Sequence, residues 1–142
     1  MPDGMPGRWQ HFPHGADVGV RGIGRSLAEA FAEAALAMTA ASVDPDAIGL
    51  HGSVEIVCSG SDAEDLLYAW LNAVIYEMAI RRMVFGRFDV HIGGGTVRAV
   101  AWGETLLPER HQPAVEIKGA TFTGLKVRKE GDEWVAECVV DV

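Results

Sequence analysis

The chain predicts an α+β fold, a single domain with two helices packed on a mostly antiparallel or mixed β-sheet. Three observations carry this. The periodic segments run strand, helix, strand, helix, and then four or five strand-like runs with no further helix between them, whereas a doubly wound parallel sheet would keep alternating. The later runs are joined by short turns, "GGG" at 93–95 and "EGD" at 130–132, which is hairpin chemistry. The length of 142 residues, 49% hydrophobic and 23% charged, suits one soluble domain with a core of its own.

Residues 1–8 read as a flexible tail and 9–142 as the domain. The first strand pattern is Val18 and Val20 alternating with Gly19 and Arg21, broken by "GIG" at 22–24. "RSLAEAFAEAALAMTAASV" is helical. Leu27, Phe31, Ala34, Ala35, Met38 and Ala41 share a face opposite Arg25, Glu29 and Glu33, and Ser26 with Glu29 forms a capping box. "GSVEIVCSGS" alternates as a strand. Ser61 with Glu64 reads as a second capping box, opening a helix whose broad stripe of Leu67, Trp70, Leu71, Val74, Ile75 and Met78 places it at the centre of the core. Phe88, Val90 and Ile92 then alternate with Arg87, Asp89 and His91, and "TVRAVAWGE" returns beyond the glycines as a hairpin. "LLPERHQPA" is a loop, "VEIK" a short strand, and "LKVRK" with "WVAECVVDV" a last hairpin.

Composition narrows the function. Twelve Lys+Arg against 20 Asp+Glu give a net charge of −8, which repels phosphate backbones and favours a basic protein or a cation as partner. The N-terminal stretch lacks the apolar segment of a signal peptide and no run is long enough to span a bilayer, so a cytoplasmic protein without membrane contact is expected. Cys58 and Cys138 stand far apart in apolar runs and read as buried free thiols.

Few residues suggest chemistry. "GIG" and "GGG" lack phosphate-loop spacing and read as turns. His11, His14, His51, His91 and His111 form no ligand pair at helical spacing, and each reads as a surface or turn residue. Asp17 stands at the entry to the first strand, in "FPHGADVGV". Asp141 lies in the apolar run "CVVDV", where a carboxylate is costly unless solvated, capped or bound to a cation, and the terminal carboxylate of Val142 is beside it by covalent necessity. Were Asp17 to join them, three sets of hard oxygens would suit Ca²⁺, Mg²⁺ or Mn²⁺. Nothing local says that residues 17 and 141 meet. Lys118 reads as an exposed lysine at a strand edge.

The order of these segments is similar to that of the archease family. "FPHGADVGVRGIGRSLAEAFAEAALAM" resembles that family's opening H-T-A-D stretch, strand and helix. "DAEDLLYAWLNAVIYEM" resembles its second helix, "VRAVAWGETL" its strand with a G-E pair, "EIKGATFTGLKV" its K-A-x-T motif and "WVAECVVDV" its ending. The match covers nearly the whole chain in order. The resemblance implies an accessory protein, not an enzyme: a chaperone-like activator of an RtcB-type RNA ligase. It would promote ligase guanylylation and multiple turnover in tRNA splicing, tRNA processing or RNA repair. It also implies a divalent cation, calcium in the family, held by Asp17, Asp141 and Val142, with Lys118 and His14 serving ligase activation. No nucleotide would bind this chain alone, and no direct nucleic-acid contact is expected. Gly15 and Gly119 depart from the family's threonine and alanine. Two other readings of the residues are a small metal-dependent phosphoester hydrolase using His14, Asp17 and Asp141, and a general protein-binding module whose carboxylates are structural.

Overall fold

The computed structural model describes residues 7–142. It contains eight strands, β1 (Arg8–His14), β2 (Asp17–Gly24), β3 (Gly52–Ser59), β4 (Met83–Gly93), β5 (Thr96–Thr105), β6 (Gly119–Ala120), β7 (Lys126–Glu130) and β8 (Glu133–Asp141), with helices α1 (Leu27–Ser42), α2 (Ala63–Arg81) and the single turn α3 (Pro108–His111). The class is α+β, as the sequence implies. The strands divide into two antiparallel sheets, one with β8 between β2 and the short strands β6 and β7 and with β1 at its outer edge, the other in the order β3-β5-β4.

Helices α1 and α2 each begin where a side chain satisfies the free amides. Ser26 Oγ accepts from the Glu29 N–H at 3.1 Å, and Glu29 reaches back to the Arg25 N–H at 2.8 Å. The second box sits one residue later than the Ser61–Glu64 pair the sequence suggests. Asp62 is the cap, accepting from Asp65 N–H at 2.8 Å, and Asp65 in turn accepts from the Ser61 amide. Aspartate supplies the same acceptor as serine, so spacing alone could not choose between adjacent frames.

One apolar core joins the helices to both sheets. It includes Phe31 and Met38 of α1, Leu67, Trp70 and Leu71 of α2, Phe85 and Phe88 of β4, and Val20, Cys138 and Val140 of β2 and β8. Helix α1 packs on β2 and β8 and also reaches β4, where Thr39 Oγ1 donates to the Phe85 carbonyl at 3.1 Å. The Trp70 indole N–H donates to the Phe31 carbonyl at 3.0 Å, tying α2 to α1. Among the described residues no buried side-chain polar atom lacks a partner. The "GIG" break lets α1 lie directly on β2: a methyl group on Gly22 would collide with the backbones of Ala30 and Ala34.

Three local expectations are corrected. Of the tail, residues 1–6 lie outside the described residues, but Arg8 opens β1 and forms an ion pair with Glu133 at 2.7 Å. "VEIK" is not a strand. Residues 115–118 run as irregular chain, and pairing starts only at Gly119. The loop 106–114 contains α3, which buries His111. Both cysteines are free, Cys138 buried and Cys58 half-buried.

Candidate functional site

Four strand ends converge at one edge of the larger sheet. The β1–β2 hairpin turns through Gly15 and Ala16, and its last pair is His14 opposite Asp17. Gly15 has φ +60 while Ala16 does not, the pattern of a turn with glycine at its first central position. Glycine thus serves the turn where the family's threonine would supply a hydroxyl. Strand β2 pairs with β8 through Val18 and Val140, so Asp17 and Asp141 are the next residues of that register. On the far side of β8, Gly119 pairs with Asp141. His14, Asp17, Asp141 and Gly119 therefore form one cross-strand row, with neighbouring Cα atoms about 4.5–5.5 Å apart. The juxtaposition that no local signal announced is supplied by the sheet.

Alternation sets the face of this row. Val18, Val20, Ala136, Cys138 and Val140 belong to or pack on the core, so Asp17 and Asp141 lie on the opposite face. The acids on the strands β7 and β8 before Asp141, namely Glu130, Glu133 and Glu137, have arginine partners. Glu137 is held by Arg21 at 3.0 Å and Arg128 at 2.7 Å. Burial opposes its ionisation, but these two hydrogen bonds outweigh burial and hold its carboxyl below the usual range. Glu133 has Arg8, whose hydrogen bond lowers its pKa likewise. Among the described residues, Asp17 and Asp141 make no ion pair, and Lys118, though exposed, reaches neither carboxylate. Like charges in neighbouring positions of a sheet repel. A divalent cation would relieve that repulsion, and the donor set fits hard-oxygen chemistry. Among the described residues, no group of three or more His, Cys, Asp or Glu side chains is placed to share a metal. His14 is exposed, and none of the side-chain hydrogen bonds among the described residues joins it to the pair.

Lys118 is fixed by its backbone. Its N–H donates to the Asp141 carbonyl at 2.8 Å. The following strand is clamped from the helix side by Asn72 of α2, which accepts from Ala120 N–H at 3.0 Å and donates to the Ala120 carbonyl at 3.5 Å. Thr121 continues the anchorage, its hydroxyl and amide both donating to the Val139 carbonyl, at 2.8 and 3.1 Å. The resemblance pointed to Lys118 but not to Asn72, whose role depends on a contact 48 residues away.

A second polar cluster went unread in the sequence. His111 is buried, and its Nδ1 accepts from the Leu107 N–H at 2.9 Å. Its Nε2 therefore carries the proton and donates to Glu104 at 2.8 Å. Glu104 also accepts from the Gly49 N–H at 2.8 Å, with Arg110 at 3.5 Å. The Gly49 amide, then His111, holds its carboxyl below the usual range. With both ring nitrogens engaged, His111 is a strut and not a metal ligand. An apolar groove of about 710 Å³ between the ends of α1 and α2 and residues 106–117 contains none of the row residues.

The fold is that of a known group of proteins. The sequence profile of the archease protein family matches residues 9–142. The protein archease of Pyrococcus furiosus is 37% identical over 140 residues, covering 95% of this chain and 99% of that one. That of Sulfolobus acidocaldarius is 34% identical over 137 residues, with the same coverage. Among solved structures, the solution structure of Methanobacterium thermoautotrophicum protein 1598 superposes with a TM-score of 0.84 at 26% identity, covering 94% of this chain and 98% of that one. A crystal structure from Thermotoga maritima, described as an archease and possible chaperone, shares the fold with a TM-score of 0.61 at 20% identity, covering 100% of this chain and 98% of that one. The chain belongs to the archease family. No helix among the described residues is long and apolar enough to cross a membrane.

Proposed function

We infer that this protein is a chaperone-like activator of an RtcB-type RNA ligase, acting in tRNA splicing or RNA repair and not as an enzyme in its own right. The observation that carries the reading is the placement of Asp17 and Asp141 at neighbouring strand ends, one step beyond the Val18–Val140 pair and without a counter-charge, with the Asp141 carbonyl bonded to the backbone of Lys118. Such an arrangement would suit a divalent cation with a lysine of fixed backbone beside it. Asp17, Asp141 and the Val142 carboxylate would hold the cation, calcium by family resemblance, with Mg²⁺ and Mn²⁺ meeting the same oxygen chemistry. When bound, the cation would neutralise the row. Lys118 and His14 would face the ligase. The net charge of −8 suits a basic protein partner over RNA, and a cytoplasmic location follows from that partnership.

What weighs against a phosphoester hydrolase is that the row carries one histidine, His14, and no serine, threonine or cysteine nucleophile. The nearby Cys138 thiol is buried on the core side, its pKa pushed up to about 12 by desolvation. The deciding experiment is single-turnover guanylylation of the cognate ligase with GTP and Mn²⁺, with and without this protein. Wild type is expected to accelerate the step, and folded Asp17→Ala and Asp141→Ala variants to lose the acceleration. No acceleration by wild type would refute the reading. Full acceleration by both variants would leave the carboxylates structural.

A further inference from the structure

The side chain next to the clamped strand is large, apolar and left in solvent. Phe122 is 68% exposed, and its ring stacks on Tyr68 of α2 with centroids 4.2 Å apart and planes 9° from parallel. The segment carrying it is held without the ring's help. Ala120 is clamped by Asn72, Thr121 is bonded to Val139, Val139 N–H donates to Thr123 at 3.0 Å, and Thr123 N–H donates to the Thr121 hydroxyl at 3.2 Å. One face of Phe122 rests on Tyr68 and the rest of the ring meets solvent. A preorganised, exposed aromatic loses little conformational entropy on binding, which is the character of an interface anchor. Its position links it to the row: Gly119, three residues earlier, pairs with Asp141.

We propose that the Phe122–Tyr68 stack is the apolar anchor with which this protein docks on its protein partner, seating Phe122 in an apolar socket rimmed by basic side chains. The charge pattern selects that occupant. Glu64 and Asp65 stand one turn before Tyr68 on α2, on a chain of net charge −8. A basic rim complements both, while a nucleic-acid strand would be repelled. The proposal rests on the ligase-activator reading and assigns it a docking residue: Phe122 supplies affinity, and the row supplies the effect.

The test uses the full chain and its cognate ligase. Dissociation constants are measured by biolayer interferometry and guanylylation rates as a function of activator concentration, for wild type, Phe122→Ala, Phe122→Tyr and Ile80→Ala. Ile80 is an exposed apolar control on the same helix as Tyr68. Circular dichroism and thermal unfolding verify that each variant is folded. Phe122→Ala is expected to weaken binding by about 30-fold, the scale of an interface hot spot, while the stimulated rate at saturation is unchanged. Phe122→Tyr retains affinity, and Ile80→Ala matches wild type. Unchanged affinity in folded Phe122→Ala overturns the proposal while leaving the activator reading intact. If instead the free chain binds GTP or an RNA oligonucleotide, and only that binding is lost in Phe122→Ala, the stack is a base platform and the protein socket is rejected. Failure of wild type to bind the ligase removes both readings together.

Discussion

Asn72 of α2 holds Ala120 at both ends of that residue's backbone, accepting from its N–H at 3.0 Å and donating to its carbonyl at 3.5 Å. A helix side chain thereby takes the place of the strand that the outer edge of β6 lacks. The two-residue strand is protected from foreign pairing, and the chain entering it is fixed at Lys118. Asn72→Ala leaves the Ala120 amide without its acceptor and is expected to cost about 1–3 kcal/mol by urea unfolding. It should also raise the hydrogen-exchange rate at Ala120 and weaken ligase activation, because the strand that follows Lys118 loses its helix-side anchor. Unchanged exchange at Ala120 would contradict this role.

The unpaired carboxylates predict a stability response to cations. Calcium, magnesium or manganese should raise the melting temperature of wild type in a concentration-dependent way, since a ligand bound only by the folded state stabilises it by mass action. Asp141→Asn should remove that response. It should also leave the cation-free protein as stable as wild type or more stable, by roughly 0.2–1 kcal/mol, because one of two repelling charges is gone. Differential scanning fluorimetry in chelator and in graded cation reads both effects.

The third ligand has its own test. A short extension after Val142 should weaken cation binding in isothermal titration calorimetry, while the same extension at the N-terminus should not. Equal affinities would exclude the Val142 carboxylate.

Glu104 predicts a pH dependence. Its folded pKa lies below the ordinary 4.5, held there by the Gly49 amide and then by His111. Stability from this group is therefore complete above the unfolded value and lost as pH falls through the folded one. Glu104→Gln should be less stable than wild type at neutral pH, and the gap should shrink as pH drops below about 4.5. The comparison needs the variant, because Glu133 and Glu137 are also lowered and contribute with the same sign.

Glu33 predicts the opposite. Burial, then the neighbouring Glu29, raises its pKa above 4.5. Its ionisation opposes folding, a penalty absent at acid pH and complete once pH exceeds the folded pKa. Glu33→Gln should therefore be more stable than wild type at neutral pH, with the gain vanishing in acid. A gain that persisted unchanged at acid pH would assign it to packing.

Much of this fold was legible because its signals are local. Phe31, Met38, Trp70 and Leu71 fall on helical spacing and all four are buried. Strand β1 gave no such signal. It is an edge strand, largely exposed, and it tolerates Pro13 where a central strand would not. The division into two sheets depends on which distant strands pair, and the buried His111–Glu104 strut on how a loop folds back. The site was half legible. Asp17 and Asp141 stand out by residue type, but only the β2–β8 register places them side by side.

That register also has a consequence in time. Strand β8 is last in the described sequence yet sits inside the larger sheet, between β2 and the pair β6 and β7. The hairpin carrying Asp17 can form early, but its neighbour on the other side arrives only when the most distant segment has been made and has closed a long loop. A cation bridging residues 17 and 141 then has nothing to grip until that closure is over. It should leave the rate of folding nearly untouched and slow the rate of unfolding, so that its benefit is measured as persistence of the native state.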